Sequence, residues 1–331
     1  MLILGIESSC DDTGVGVVED GRWMRGNACL SSAEIHARFG GVVPELASRE
    51  HVMAILPAIE AALSQAGACL ADCDAIAVTQ GPGLLGALLV GVTAAKALAL
   101  ALHRPLIGVH HLEAHLYANA LEAPIQYPAL ALLASGGHTA MYRWEGDGRL
   151  VLLGDTQDDA AGEALDKGAR ILGLGYPGGP AIERLALTVD ETPFKLPVAR
   201  LRRPQRPYDV SFSGLKTALA ALYRQHPDQS AALARALEEA VVAALTEKAV
   251  QALVEERLHR IYLAGGVSAN RRLRTRLTER AAELGRRVYA PEPVLATDNG
   301  AMVATAGYYH WRLGHRMAMH EGPKTPYALG E

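Results

Sequence analysis

The feature that most constrains the fold is a pattern of strands and turns that occurs twice in the chain. An apolar run at Leu2–Ile6 is followed by a loop of small polar residues, a second strand-like run and an Asp-Gly turn at Gly21. The run at Pro128–Ala134 is followed by the same order of features, with its Asp-Gly turn at Gly148. Such an internal repeat predicts a duplicated α/β domain, the alternative being chance similarity between two common hairpins.

A duplicated α/β unit with a small-residue turn in each half fits the actin-like ATPase fold, in which the two turns face each other across a central cleft. A third glycine-rich loop, Leu263–Asn270, follows another strand-like run and precedes a predicted helix at Arg271–Leu284. We therefore predict two duplicated actin-like lobes, residues 1–110 and residues 111–331. A proline- and arginine-rich insertion is expected near 192–210, and the C-terminal helices are allowed to return to the first lobe.

Composition narrows the possible classes of protein. With 331 residues, 50% hydrophobic and 21% charged, the chain is typical of a globular protein and unlike a disordered or collagen-like one. Residues 1–150 hold 8 Lys and Arg against 15 Asp and Glu, whereas the rest of the chain holds 24 against 21. A weakly basic second half in an acidic protein indicates a polyanion bound at one location.

The cysteines and the N-terminus bear on the compartment. Four cysteines without a Cys-x-x-Cys pair indicate reduced thiols and a cytoplasmic protein. The apolar start at Leu2–Ile6 is too short for a signal peptide. The one membrane candidate, Leu84–Leu102, is interrupted by Lys96 and small residues, so we expect a buried core helix and no membrane.

The sharpest candidate for chemistry is the sequence His-His-Leu-Glu-Ala-His at residues 110–115. Residues four apart lie on one face of a helix, so His111 and His115 could chelate one metal ion. Iron, zinc and manganese sites usually add a carboxylate, for which Asp298 is the candidate, in a polar turn ahead of an apolar helix. A pair of ordinary helix histidines is the alternative.

Zinc proteases use a related histidine pair. They need a glutamate directly after the first histidine to activate the metal-bound water. Glu113 comes two residues after His111, which rotates it about 200° around the helix, away from the ligand face. The position of Glu113 therefore disfavours the metalloprotease alternative. A phosphotransferase (kinase) on the same fold is a second alternative, and it would leave the paired histidines unexplained.

Glycine-rich loops could bind anions. The run from Gly81 to Gly86 matches a dinucleotide pattern, but the next strand ends in histidines where an acid is expected, so we interpret it as a tight turn. The turn Ser135-Gly136-Gly137-His138 has N–H groups that could hold a phosphate or carboxylate, and a plain hairpin turn is the alternative.

Two groups of arginines are candidates for contacts with RNA phosphates. The first, in the proline-rich segment, includes Arg202, Arg203 and Arg206. The second lies in the predicted helix and contains Arg271, Arg272, Arg274 and Arg276. Clustered cations of this kind bind polyanions, although a solvated basic face is the alternative.

Seven short motifs in a fixed order identify a family. They are Gly-Ile-Glu-Ser-Ser-Cys-Asp-Asp-Thr, Gly-Pro-Gly-Leu-Leu-Gly, His-His-Leu-Glu-Ala-His, Ser-Gly-Gly-His-Thr, Ser-Phe-Ser-Gly-Leu-Lys-Thr, Ala-Gly-Gly-Val-Ser-Ala-Asn and Thr-Asp-Asn-Gly-Ala-Met. Each motif alone is weak, but the ordered set spans Gly5 to Met302. Together they resemble the TsaD family, also called Gcp or YgjD in bacteria.

The resemblance implies a reaction on an actin-like fold. The threonylcarbamoyl group of threonylcarbamoyl-AMP would pass to the exocyclic N(6) amine of the tRNA adenosine next to the anticodon, in tRNAs that read codons beginning with adenine. AMP would be released. The implied partners are tRNA, a paralogous actin-like protein named TsaB and a small ATPase named TsaE.

The resemblance also implies site residues. His111, His115 and Asp298 would hold one Fe(2+) or Zn(2+) per subunit, and Asp11 and Asp12 would lie at the catalytic cleft. The substrate would be cradled by Ala134, Ser135, Gly136, Gly137, His138, Asp166, Gly179 and Asn270. The family commonly has Glu where this chain has Asp12, which puts one contact at the cleft in doubt. Glu183 stands where many members have Asp and is not counted as a binding residue.

Overall fold

The computed structural model describes residues 1–198, 201, 206–325, 327 and 329, and this part of the chain contains two five-stranded sheets. The first sheet consists of β1 (Leu2–Glu7), β2 (Asp12–Glu19), β3 (Trp23–Ser31), β4 (Ala75–Gly81) and β5 (Leu106–His110). The second consists of β6 (Ala129–Ala134), β7 (Thr139–Gly146), β8 (Arg149–Asp155), β9 (Arg260–Ala264) and β10 (Arg287–Tyr289).

The two sheets have the same topology. Their strand orders are β3-β2-β1-β4-β5 and β8-β7-β6-β9-β10. In each sheet the central strand pairs antiparallel with the strand that follows it and parallel with the fourth strand. The hairpin glycines Gly21 and Gly148 adopt the same left-handed conformation, with φ of 65° and 66°. The duplication predicted from the repeated pattern is therefore confirmed.

Helices cover the sheets. They are α1 (Ala33–Ala37), α2 (Pro44–Ala66), α3 (Leu85–Leu102), α4 (His111–Tyr117), α5 (Ala161–Ile171), α6 (Gly178–Ala186), α7 (Ser213–Gln225), α8 (Ser230–Glu255), α9 (Arg271–Glu283), α10 (Pro293–Ala296) and α11 (Gly300–Arg312). The apolar strands β1, β4 and β6 are buried along almost their whole length, as expected for central strands covered by helices.

The chain forms two compact units. Unit 1 contains Met1–Ile125, Asp147–Arg149 and Thr297–Glu331, and unit 2 contains Gln126–Gly146 and Leu150–Ala296. The first unit thus extends past the predicted boundary at residue 110. The reason is that α4 follows β5 directly, and every one of its side chains is buried in unit 1.

The last helix belongs to unit 1, where α11 packs on β1 and β2. The approach is so close that a Cβ atom at Gly16 would lie 2.2 Å from the backbone nitrogen of Ala301. A Cβ atom at Gly300 would lie 2.0 Å from the backbone nitrogen of Gly16. Side chains larger than hydrogen would force the helix off the sheet, so these glycines determine where α11 begins.

Three other expectations concern α3, the cysteines and the proline-rich stretch. By length and composition alone α3 could cross a membrane, but it packs against α2 and β4. Only 33% of the helix is buried, so it packs through one face and is not the buried core helix expected from the sequence. All four cysteines are free thiols. In the proline-rich stretch the described residues form no helix or strand between Thr192 and Pro207.

Candidate functional site

Three side chains of unit 1 form a group that could hold a metal ion. They are His111 and His115 of α4 and Asp298, just ahead of α11, and their ligand atoms all lie within 4.8 Å of one another. The Nε2 atom of His115 is 3.1 Å from Oδ1 of Asp298, and Nε2 of His111 is 3.8 Å from the same oxygen. The structure thus brings together the three residues named from the sequence.

The sheet explains why the group forms where it does. β1, β4 and β5 are parallel, so their carboxyl ends lie at one edge of the sheet. β5 ends at His110 and α4 begins at His111, which places the first ligand directly at that edge. The helical spacing then puts His115 one turn further along the same face. Asp298 lies two residues before α11 begins, so the close packing of α11 on β1 and β2 places it at this edge.

Glu7 supports the group and was not identified from the sequence. It is the last residue of β1, fully buried, and its Oε2 atom lies 3.1 Å from Nδ1 of His111. Thr79 donates to the same carboxylate at 2.6 Å, as does the backbone N–H of Ser9. A carboxylate on Nδ1 holds the proton there and leaves Nε2 as the free ligand atom. The sequence signal that could have identified Glu7 is its position as an acid at the end of an apolar strand.

The donor set fits a divalent transition metal. Nδ1 of His115 is buried without a hydrogen-bond partner among the described residues. Nε2 of His115 is also buried, and its close approach to Asp298 does not have hydrogen-bond geometry. Such an approach is what two ligands of one ion would show. Two imidazoles and one carboxylate with open positions are typical of iron and zinc sites.

The charges in the group depend on one another. Burial alone lowers the pKa of His111, but the carboxylates of Glu7 and Asp298 outweigh burial and raise it to about 9. Burial raises the pKa of Asp298, but the adjacent His111 and His115 rings bring it down to about 2. Without a metal, His111 is therefore an imidazolium at neutral pH. Since metals bind the neutral ring, an ion entering the site displaces that proton.

Glu113 lies outside this group. Its Oε2 atom accepts a hydrogen bond from Nε2 of His310 at 2.8 Å, in a buried pair. That partner lies on α11, away from the His111–Asp298 group, in agreement with the helical rotation expected from the sequence. The glutamate therefore does not stand where a metalloprotease needs its general base.

Asp11 ends the loop between β1 and β2, and Asp12 is the first residue of β2. Both are partly buried, and Oδ1 of Asp12 has no hydrogen-bond partner among the described residues. Burial raises the pKa of Asp12 to about 6, and the charges of Asp11 and Asp298 act in the same direction. The loop backbone is fixed by Ser32, whose hydroxyl donates to the Asp11 carbonyl at 2.5 Å. Asp12 can therefore exchange a proton near neutral pH.

In unit 2, Ala134 ends β6 and the loop from Ser135 to His138 follows it. The loop is closed by the Ser135 backbone N–H, which donates to the His138 carbonyl at 2.8 Å, and by the His138 N–H, which donates to the Ser135 hydroxyl. Gly136 and Gly137 are exposed at its tip. An exposed tip without Cβ atoms allows an anion to approach the backbone closely.

Glycines from two other segments pack on this loop. A Cβ atom at Gly162, in the first turn of α5, would lie 2.6 Å from the Ser135 carbonyl oxygen. One at Gly265, after β9, would lie 2.5 Å from the Ala134 carbonyl oxygen. Because β6 and β9 are adjacent and parallel, the loops at their carboxyl ends meet at one edge of the second sheet.

The remaining substrate candidates hold backbone in place. Asp166 accepts a hydrogen bond from the Gly178 N–H at 2.8 Å and so anchors the start of α6, which also contains Gly179. Asn270 caps α9 by accepting from the Leu273 N–H at 2.9 Å, and its amide donates to buried Glu238. These side chains are therefore already engaged in shaping the ends of helices.

The arginines named as candidates for RNA contacts differ in their surroundings, and the structure does not describe all of them. Arg202 and Arg203 lie outside the described residues. Arg206 is exposed and pairs with Asp155 at 3.1 Å. On α9, Arg274 donates to the backbone carbonyls of Ser268 and Pro291, so it is a structural residue. Arg272 and Arg276 both pair with Glu239, which neutralises part of that cluster; the remaining arginine is Arg271.

Comparison with known proteins agrees with the motifs. The family model described as TsaD, tRNA N6-adenosine threonylcarbamoyltransferase, matches residues 24–305. A protein of that name from Symbiobacterium thermophilum is 51% identical over 320 residues, which cover 95% of this chain and 93% of that one. One from Ralstonia pickettii is 50% identical over 316 residues, 93% of this chain and 90% of that one.

Solved structures show the fold. Component A of the Acidaminococcus fermentans (R)-2-hydroxyglutaryl-CoA dehydratase superimposes with a TM-score of 0.59 at 13% identity, covering 93% of this chain and 98% of that one. HypF from T. kodakarensis gives a TM-score of 0.61 at 15% identity, covering 94% of this chain and 48% of that one. Both have the actin-like ATPase fold, which is thus the fold of this chain. The sequence matches cover most of the chain at about half identity, and the chain belongs to the TsaD family of tRNA N6-adenosine threonylcarbamoyltransferases.

Proposed function

We propose that this chain transfers the threonylcarbamoyl group of threonylcarbamoyl-AMP to the N(6) amine of the tRNA adenosine next to the anticodon, in tRNAs that read codons beginning with adenine. The N(6) nitrogen forms a bond to the carbamoyl carbon and loses one proton, while the bond from that carbon to the phosphate oxygen breaks and AMP leaves. The observation that carries the proposal is the His111–His115–Asp298 group. It occurs in a chain that is 51% identical to a protein named tRNA N6-adenosine threonylcarbamoyltransferase.

The metal we propose for this group is one Fe(2+) or Zn(2+) per subunit. Both ions accept two imidazoles and a carboxylate, the donors that His111, His115 and Asp298 offer. A bound ion would act as a Lewis acid and template for an oxygen of the threonylcarbamoyl group. Glu7 would keep the His111 ring in the tautomer and orientation that metal binding needs.

Asp12 is the proposed proton acceptor. The attacking amine is neutral and the donor is already activated by AMP, so the protein mainly has to position the two and take up one proton. A carboxyl whose pKa burial raises to about 6 is a better base at neutral pH than an ordinary aspartate, yet it is still mostly ionised there. Asp11, next to it, adds negative charge that supports the same shift.

The donor is proposed to bind at the carboxyl edge of the second sheet. Backbone N–H groups of the Ser135–His138 loop, which follows Ala134, would face a negatively charged part of the donor. Asp166, Gly179 and Asn270 would complete the pocket through the helix starts that they form or hold. Support for this assignment comes from the exposed tip of the loop at Gly136 and Gly137.

The proposed partners are tRNA, TsaB and TsaE, acting in the cytoplasm. The tRNA phosphates would contact Arg202, Arg203 and Arg206. Support for a protein partner comes from apolar side chains that α2 and α3 leave exposed, such as Met53 at 74% and Leu56 at 64%. We expect the isolated chain to bind tRNA weakly and to turn over repeatedly once both proteins are added.

Nucleoside mass analysis tests the proposed reaction. Unmodified tRNA is incubated with threonylcarbamoyl-AMP, the metal-loaded chain, TsaB and TsaE, then digested to nucleosides. We expect threonylcarbamoyladenosine and an equal amount of AMP, and almost none with His115→Ala, whose metal content should fall well below one per chain. Absence of the modified nucleoside with the intact, metal-loaded chain would overturn the proposal, and phosphate transfer from ATP would favour the kinase alternative instead.

A further inference from the structure

His51 is a buried histidine that the proposed reaction leaves without a role. It lies on the inner face of α2 with only 1% of its surface exposed. Its Nδ1 atom is 2.7 Å from the hydroxyl of Thr13, and its Nε2 atom is 3.1 Å from the backbone carbonyl of Cys10. Both ring nitrogens are therefore engaged by one short stretch of chain, Cys10–Thr13.

The two contacts determine where the ring carries its proton. A carbonyl oxygen can only accept a hydrogen bond, so Nε2 of His51 must donate to Cys10. In the neutral ring Nδ1 is then the acceptor, and the hydroxyl of Thr13 donates to it. A protonated ring would have to donate from both nitrogens, and the contact to Thr13 would survive only if its hydroxyl turned around.

The surroundings favour the neutral ring. Burial lowers the pKa of His51, and His36 acts in the same direction. The Cys10 carbonyl and the charges of Glu7 and Asp11 act in the opposite direction but do not cancel the effect of burial. These are the polar and titratable groups that influence the ring from β1, from the loop after it and from α1. The ring is thus uncharged at neutral pH, a state in which Nε2 donates to Cys10 and Nδ1 accepts from Thr13.

The tethered segment contains both acids of the proposed mechanism. Asp11 and Asp12 lie between Cys10 and Thr13, so the two ends of this four-residue segment are tied to one rigid ring. Ser32 holds the segment a third time, through the Asp11 carbonyl. The ring is enclosed, because α2 packs on β2 and β3 and leaves only 1% of His51 exposed. A backbone held at three points directs the carboxyl of Asp12 in one direction.

We propose that His51 is a positioning residue, which clamps the Cys10–Thr13 segment through a neutral, Nε2-protonated ring and so directs Asp11 and Asp12 into the site. This inference rests on the proposed function only for the roles of the two acids. The clamp itself stands on the two contacts and the burial of the ring. It predicts that loss of either hydrogen bond misplaces the carboxyls of Asp11 and Asp12. The metal group is contacted by Ser9, whose hydroxyl lies 3.2 Å from Nδ1 of His111, but by neither His51 nor Thr13 in the described part of the chain, so metal content should stay the same.

Turnover of matched variants tests the clamp. We expect Thr13→Val to lower kcat about 10- to 100-fold, since a small misplacement of a reacting group costs that much, with KM for threonylcarbamoyl-AMP little changed. Thr13→Ser, which restores the hydroxyl, should recover most of the loss. His51→Leu should be at least as slow, and the double variant no slower than His51→Leu, because both changes break the same contact.

The control is Thr305→Val. Thr305 is also fully buried in unit 1, and its hydroxyl has no hydrogen-bond partner among the described residues, so its loss should leave kcat and metal content unchanged. If His51→Leu does not fold, Thr13→Val and Thr13→Ser still decide the question. Equal kcat for the intact chain and Thr13→Val would overturn the inference.

Nuclear magnetic resonance separates the clamp from the proposed reaction. In the intact, metal-free chain, the ¹⁵N shifts of His51 should show a neutral ring with its proton on Nε2. The carboxyl ¹³C shift of Asp12 should titrate near 6, and in Thr13→Val its pKa should fall toward the ordinary value of about 3.9 as the freed loop gains water. A proton on Nδ1, or an unmoved Asp12 pKa, would overturn the clamp. If the chemical shifts and the pKa change are as predicted but the chain makes no modified nucleoside, the clamp is supported and the proposed function is wrong.

Discussion

At the scale of single residues, the acids and histidines of unit 1 combine burial with opposing charges. Glu7, His111 and Asp298 form a row in which each charge stabilises its neighbour, and the pKa values of the two acids are lowered despite burial. Asp12 lacks such a partner, so burial dominates and raises its pKa. Unit 1 thus holds two acids that stay ionised, Glu7 and Asp298, and a third, Asp12, that can take up a proton.

Replacing Asp12 by Asn should stabilise the metal-free protein at neutral pH. A carboxyl whose folded pKa is about 6 binds more protons in the folded than in the unfolded state between about pH 4 and pH 6. Stability therefore falls as the pH rises through that window, and the full cost is present above it. Asp12→Asn removes the cost, so the free energy of unfolding should rise by about 1–3 kcal/mol at pH 7.5 and change little at pH 4.

Urea unfolding at the two pH values measures this difference. The same substitution at exposed Asp228 controls for the loss of a surface charge. A gain for Asp12→Asn that is equal at pH 4 and pH 7.5 would mean that the titration of Asp12 is not its source.

Glu7→Gln should weaken metal binding although Glu7 is not a ligand. The amide keeps an oxygen near Nδ1 of His111 but loses the negative charge that makes the ring a strong ligand. Loss of such a supporting carboxylate typically costs 10- to 100-fold in metal affinity, roughly the effect expected here. Competition with a chelating dye measures the metal affinity.

Glu113→Gln is the matched control, because this buried acid bonds to His310 and its replacement should leave the metal affinity unchanged. An affinity for Glu7→Gln equal to that of the intact chain would contradict the role assigned to the carboxylate.

At the scale of elements, the contact between α11 and the β1–β2 hairpin places Asp298. The helix backbone lies directly on the strand backbone, which is possible only because Gly16 and Gly300 have no side chains. The start of α11 is therefore fixed by two residues that take no part in the chemistry. Asn299 adds a cap by accepting from the Met302 N–H at 2.9 Å.

Gly16→Ala should therefore reduce both stability and metal affinity. The added Cβ atom would lie 2.2 Å from the Ala301 nitrogen and 2.4 Å from the Gly300 carbonyl carbon, so the helix must shift. Overpacking of this kind costs about 1–3 kcal/mol or more. The displaced Asp298 should weaken metal binding in the same variant. Thermal unfolding and chelator competition provide the two measurements.

The control for this prediction is Gly214→Ala in the first turn of α7. A Cβ atom there meets nothing within 4 Å, and alanine favours a helix over glycine, so this variant should be as stable as the intact chain or more so. Unchanged stability and metal affinity in Gly16→Ala would show that α11 does not need the close approach.

At the scale of the whole molecule, the two units share a topology but differ in chemistry. Unit 1 carries the His111–His115–Asp298 group and the two acids Asp11 and Asp12. Unit 2 carries the exposed Ser135–His138 loop. The net charge also differs along the chain, since the first 150 residues are acidic and the rest are slightly basic. A tRNA, being a polyanion, is therefore expected to contact mainly the second part of the chain.

Charge reversal at Arg202, Arg203 and Arg206 should weaken tRNA binding and reduce its dependence on salt. Each lost phosphate contact lowers the log–log slope of affinity against salt by roughly one. Metal content should not change. The measurement is a binding titration at several salt concentrations, with the complete set of proteins. If the slope of the triple variant is unaltered, the RNA docks elsewhere, and Arg271, Arg272 and Arg276 on α9 are the next residues to reverse.

Much of the architecture could be predicted from the sequence because it depends on local patterns. The repeated strand and turn signals predicted the duplication, and the buried apolar runs predicted the central strands. The spacing of His111 and His115 placed both rings on one helix face before any neighbour was known. The ordered motifs named the family, and the position of Glu113 argued against a protease. Each of these signals lies within a few residues along the chain.

Only the tertiary structure decided which distant side chains support the site. Glu7 and His51 lie in segments whose local patterns predict only a strand end and a helix, yet packing brings one to His111 and the other to Thr13. The first unit also extends to Ile125, because α4 is buried in it, and it includes α11. The helix α11 belongs there because its backbone contacts the sheet at Gly16 and Gly300. Local sequence determines the periodicity of an element. The partners of its buried polar groups are determined by how remote elements pack, because a buried polar group is stable only where that packing supplies a hydrogen bond.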